Sequence, residues 1–126
     1  MKYPLAVANR LLGILGEDIA VGYDIACTFS KTLARSTIGP LAKTQRMRGV
    51  VPAFHGYAHN RGCQVNWHPM YVEGTGKADF EQCERLFSGS NALAAITRFA
   101  TVFHREQELV EYFSFVSDDK YAESGE

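Results

Sequence analysis

Near the start of the chain, Leu5, Ala8, Leu11, Leu12 and Leu15 recur at the spacing of one helix face, which predicts an amphipathic helix. Pro4 suits its first turn and Gly16 its C-terminal stop. The period then changes. Ile19, Val21, Tyr23 and Ile25 alternate with Ala20, Gly22, Asp24 and Ala26, the pattern of a half-buried strand. An acid therefore sits on the small-residue face of that strand, just before Phe29, Leu33 and Leu41 open a second helical region. Gly39-Pro40 predicts a break in that region. Val50 to His55 predicts a second short strand, with Pro52 implying an edge position or an early end. Pro69, Gly74 and Gly76 mark "HPMYVEGTGKAD" as a loop. Asp79, with Gln82 after it, resembles a capping box for a C-terminal helix. Leu93, Ile96, Ala100, Phe103, Val110 and Phe113 trace the apolar face of that helix. "SGSN" at 88–91 predicts a kink or a split, and the closing "DDKYAESGE" predicts frayed chain. Two strands among several helices make an α/β count that is thin in strands.

The 126 residues suffice for one domain with a modest core, and 46% hydrophobic with 21% charged residues is ordinary for a soluble globular protein. No apolar run approaches the length of a membrane helix. The first apolar stretch is interrupted by Asn9 and Arg10 and lacks a convincing cleavage site, so no signal peptide is expected. Cys27, Cys63 and Cys83 are odd in number and form no CxxC pair, which predicts free thiols in a reducing, intracellular setting. Net charge is −1, but its distribution is uneven. From Ile25 to Val72 there is no acid, while Lys31, Arg35, Lys43, Arg46, Arg48 and Arg61 give that segment +6 against −7 elsewhere. Such a segment is either a solvated basic face or a nucleic-acid footprint.

Candidate chemistry falls in two places. Glu81 and Glu84 share one helix face and, with Asp24, can form a carboxylate cluster for divalent metal. Acids in a first helical turn are also commonplace, because they complement the macrodipole. In "FHGYAHNRGCQVNWHP", His55, His59 and Cys63 stand at i, i+4 and i+8, with His68 after them. On one helix they would share a face, and a tetrahedral zinc site is conceivable. The spacing fits no standard zinc finger, and Gly56 and Gly62 weaken the helix. The expectation is structural packing, with His59 and Cys63 helping to position the acidic helix, without zinc. A Cys–His hydrolase built on Cys63 lacks a third member, and Gly74-Thr75-Gly76 lacks the GK[ST] of a phosphate loop.

The order "KYPLAVANRLLGILGEDIAVGYDIACTFSKTL", then "AFHGYAHNRGCQVNWHPMYVEGTGKADFEQCERLFSGSNALA", closely resembles the Kyakuja-Dileera-Zisupton (KDZ) transposases over nearly the whole chain. The resemblance rests on YDxxCxF, on HxxxC followed by HPxY, and on EGxGxxDxExxER. It implies a helix-rich α/β fold, a ribonuclease H-like core that cuts and joins DNA with a metal-dependent Asp-Asp-Glu triad. Asp24 matches the second acid. Glu81 matches the third, in preference to Glu84, because it occupies the glutamate of the family's DGE element; Arg85 matches the ER pair. Phe80 stands where the family usually has glycine. The family's first acid lies on an early strand, upstream of the helix that begins near Tyr3. This chain is therefore expected to be the C-terminal portion of the core, lacking its first strands.

The resemblance further implies Mg²⁺ or Mn²⁺ on Asp24 and Glu81, DNA (transposon ends) as partner and a nuclear location. Lys31, Arg35, Lys43, Arg46 and Arg48 are the expected phosphate contacts. With an incomplete triad, the chain alone is expected to be inactive. The alternative is a non-catalytic helical interaction module or transposon relic, which would homodimerise through the exposed strand edge.

Overall fold

In a computed structural model that describes residues 1–125, contacts divide the chain into two compact units, Met1–Gln82 and Cys83–Glu126. The fold class is helix-rich α/β with one small parallel sheet. In the first unit, α1 (Lys2–Leu15) buries Ala8 and Leu12, the inner residues of its predicted apolar face, and ends at Gly16 with φ 75°. Strand β1 is only Ala20–Gly22. The alternation that carries the eye to Ala26 is overridden by a turn through Asp24 and Ile25, in which the Ala26 N–H donates to the Tyr23 carbonyl. Ala26 then opens α2 (Ala26–Ala34) as a fully buried residue, with Phe29 buried one turn on.

The break at Gly39-Pro40 forms as expected: α3 (Gly39–Thr44) starts there, with proline in its first turn. Strand β2 (Arg48–Val50) lies parallel to β1, pairing Ala20 with Arg48, Val21 with Gly49 and Gly22 with Val50. It ends before Pro52, so the predicted strand to His55 becomes instead α4 (Ala53–Gly56), with Pro52 as its N-cap residue. The start of the strand pair is clamped from outside. Asp18 N–H donates to the Gln45 carbonyl, and Arg46 holds Asp18 through Nε and Nη2 at 2.7 and 2.6 Å and Glu17 at 2.6 Å. The hydrogen bonds from Arg46 hold the Asp18 carboxyl below the usual carboxylate range.

Helix α5 (Arg61–Trp67) follows a turn, so His55 and Cys63 lie on two short helices rather than one continuous face. Its last residue ties back to the sheet, the Val51 N–H donating to the Trp67 carbonyl. Val50 and Val51, with Ala42, complete the small core of this unit.

The second unit is a helix pair, α6 (Gln82–Thr97) and α7 (Val102–Ser124). The predicted interruption is displaced. α6 runs unbroken through Ser88–Asn91, and the chain breaks after Thr97. At Gly89 the small residue leaves room for a neighbour: a Cβ there would lie 2.8 Å from the Tyr112 hydroxyl on α7. The break is set by Thr101, which caps α7 by accepting the His104 N–H. The segment predicted to fray continues α7 to Ser124. No helix among the described residues is long and apolar enough to cross a membrane.

Candidate active site and a thiol–imidazole cluster

Asp24 occupies the turn at the end of β1, and its carboxylate is well exposed at 61%. Pro52 has no side chain able to cap α4, so the orphan Phe54 N–H of the first turn needs an acceptor from elsewhere. Glu81 supplies it: Oε1 accepts that N–H at 2.7 Å, from a side chain only 10% exposed. The approach of residues 79–81 is fixed by backbone. Ala53 N–H donates to the Asp79 carbonyl at 3.0 Å, and Asp79 Oδ1 accepts the Glu81 N–H at 3.0 Å.

Phe80 between them takes φ 61°, the left-handed region that glycine occupies without strain. Its side chain packs on β1, and a Cβ at Gly22 would lie 2.8 Å from the Phe80 Cβ. Phenylalanine is accommodated because Gly22 leaves room for it.

His55, from α4, stands between the two acids. Its Nδ1 approaches Glu81 Oε2 at 3.4 Å and its Nε2 approaches Asp24 Oδ2 at 3.8 Å. The Nδ1 contact is off the hydrogen-bond direction, which leaves that buried nitrogen without an aligned partner. Asp24 and Glu81 therefore each approach one nitrogen of His55, from opposite edges of the imidazole, and the ligand atoms of these three side chains do not all lie within 4.8 Å of one another. Glu84 is exposed in the first turn of α6, in the second unit.

The expected phosphate contacts divide. Lys31 on α2 and Arg35, the residue that follows its last turn, are exposed, as is Lys43 at the end of α3. Arg46 is committed to Glu17 and Asp18, and Arg48 donates through Nη1 to the Glu73 carbonyl.

A second cluster lies among α2, α5 and the turn before α5. Ligand atoms of Cys27, His59 and Cys63 all lie within 4.8 Å of one another. Cys27 Sγ is 3.6 Å from His59 Nδ1. Hydrogen bonding to the Cys27 thiol, with desolvation, pushes the Cys63 thiol above its usual range, partly opposed by Asn60 and Lys31. Neither His55 nor His68 belongs to this group. His55 faces the acids, and the His68 ring lies against Gly56 and Tyr71.

The family model of the Kyakuja-Dileera-Zisupton transposases matches residues 1–116. The chain belongs to the KDZ family. No curated protein and no solved structure matches it. In this KDZ chain the three motif segments converge within the first unit: Asp24 and Cys27 from one, His59 and Cys63 from the next, Glu81 from the last. Sequence spacing missed two partners. Spacing groups His55 with His59, two histidines four apart, whereas the fold sends His55 to the acids. Nothing local joins Cys27 to His59, and only the packing of α2 against α5 does.

Proposed function

We propose that this chain is part of the catalytic core of a DNA transposase, ribonuclease H-like in type, with Asp24 and Glu81 as its acids. The observation that carries the reading is the convergence of Asp24 and Glu81 on the two nitrogens of His55. Two parallel strands with an acid at the end of the first support it further. Carboxylates are suitable donors for Mg²⁺ or Mn²⁺. The two acids sit on different nitrogens of His55, so an ion held by both has to displace the imidazole from between them. When bound, such ions activate a water and stabilise the leaving oxygen of a phosphodiester. The chain's own residues bind and orient: Glu81 is fixed by the Phe54 N–H, Asp24 opens to solvent, and Lys31, Arg35 and Lys43 offer exposed charge to phosphates. On this reading the chain's place of action is the nucleus, as the family resemblance implies.

Two-metal phosphoryl transfer needs enough ligands to place both ions, and misplacement by about 1 Å costs roughly a hundredfold. Two acids are too few. The chain alone is expected to bind DNA without sequence preference and with steep salt dependence, and to leave it uncut. Titration of labelled duplex at rising salt checks the binding, and supercoiled DNA with Mg²⁺ or Mn²⁺ checks the cutting. Nicking that disappears in Asp24→Asn shows a working nuclease and overturns the inactivity. Failure to bind DNA at low salt overturns the DNA reading.

One observation favours a second reading. Both β1 and β2 are edge strands of a two-stranded sheet, and free edges invite pairing with another chain. A non-catalytic module of this kind would sediment as a dimer and ignore DNA.

A further inference from the structure

Cys27 projects from the first turn of α2, Cys63 from the first turn of α5, and His59 from the turn preceding α5. All three are part-buried, and their ligand atoms lie within 4.8 Å of one another. Among the described residues, no other group of three or more such side chains has its ligand atoms this close. We propose that Cys27, His59 and Cys63 bind one zinc ion, which pins α2 to α5 and leaves a fourth position for water. This site is separate from the acids of the proposed nuclease centre and does not depend on that reading.

Geometry argues for it first. Zinc–sulfur and zinc–nitrogen bonds of about 2.3 and 2.0–2.1 Å, set tetrahedrally, put a sulfur and a nitrogen ligand about 3.6 Å apart. Cys27 Sγ and His59 Nδ1 are 3.6 Å apart. The donor set argues next. Two thiols and one imidazole nitrogen have a single good acceptor among them, so one thiol is left with only a weak sulfur partner. A cation takes a lone pair from each of the three at once. Thiolate and imidazole suit zinc and do not suit Mg²⁺ or Mn²⁺.

The surroundings are also fixed. Asn60 caps α5 by accepting the Cys63 N–H at 3.0 Å, and Gln64 Nε2 donates to the His59 carbonyl at 2.9 Å. These bonds fix the backbone at Cys63 and at His59. On binding, both thiols release their protons to solvent and His59 binds as neutral imidazole through Nδ1. Thiolate charge is then balanced by the ion, with Lys31 nearby. Since Cys27 follows Asp24 closely and His59 follows His55, the ion restrains the segments that carry both.

Metal analysis of the whole reduced chain, with zinc alone as probe, tests this. About one zinc per chain is expected to survive gel filtration. Cobalt in its place should give sulfur-to-cobalt charge-transfer bands and the strong visible absorption of a tetrahedral site. Cys27→Ser, Cys63→Ser and His59→Ala should each weaken zinc binding by more than roughly a hundredfold, beyond the ~10–100-fold typical of an outer-shell loss. Cys83→Ser and His104→Ala should bind as the parent chain does. The cobalt spectrum needs no variant, so misfolded variants do not spare the proposal. No zinc uptake by folded, reduced chain, a weak octahedral cobalt spectrum, or unchanged affinity in Cys27→Ser would overturn it.

Discussion

Glu81 does two jobs, and substitution separates them. Its Oε1 serves as the missing cap of α4, accepting the Phe54 N–H at 2.7 Å because Pro52 cannot. Glu81→Ala leaves that N–H without a partner in a part-buried position. A hydrogen bond to a charged group contributes about 1.5–3 kcal/mol, and loss of a helix cap costs about 1 kcal/mol on its own. The expected cost is therefore about 2 kcal/mol. In a unit of this size each kcal/mol moves the thermal midpoint by roughly 4–8 °C. Glu81→Gln keeps an oxygen in the same place and forfeits only the charge, so its cost should be about 1 kcal/mol or less. Any divalent-metal affinity at the acids should fall in both variants. Urea and thermal unfolding of the three chains, beside Mn²⁺ titration, measure the separation. Equal destabilisation by Ala and Gln, or a cost for Ala below about 0.5 kcal/mol, would refute the capping role.

Gly22→Ala should cost about 1–3 kcal/mol by overpacking, since its Cβ meets the Phe80 Cβ at 2.8 Å. In a Phe80→Gly background most of that cost should disappear, and a double-mutant cycle by chemical unfolding reads the coupling. Asp18 has a depressed carboxyl, so its contribution is present above its ordinary value of 3.8 and fades as pH falls through the lower folded value. Unfolding from pH 7 to pH 2 should show Asp18→Asn less stable than the parent near neutrality, the gap closing in acid and shrinking in high salt. Gly89→Ala gains helix propensity of about 1 kcal/mol and displaces only the end of the Tyr112 side chain. It should be neutral or mildly stabilising in thermal unfolding, and a loss above about 1 kcal/mol would mean that Tyr112 is fixed.

Local pattern carried much of the fold. The helical spacing around Leu12, the stop at Gly16, the break at Gly39-Pro40 and the early end imposed by Pro52 are all set within a few residues, by backbone sterics and by one apolar face. Motif order was likewise enough to place the chain among the KDZ transposases. Boundaries that compete with tertiary packing were less legible. Ala26 continues the strand alternation but is buried as the first residue of α2, and Ala100 continues the helical stripe across the break that Thr101 caps. Tertiary structure alone decided which polar groups meet. His55 lies between the acids because Glu81 caps α4 from across the unit, and Cys27 reaches His59 because α2 packs against α5. Those pairings join residues far apart in the chain, where periodicity has no reach; they exist only once burial has brought the elements together.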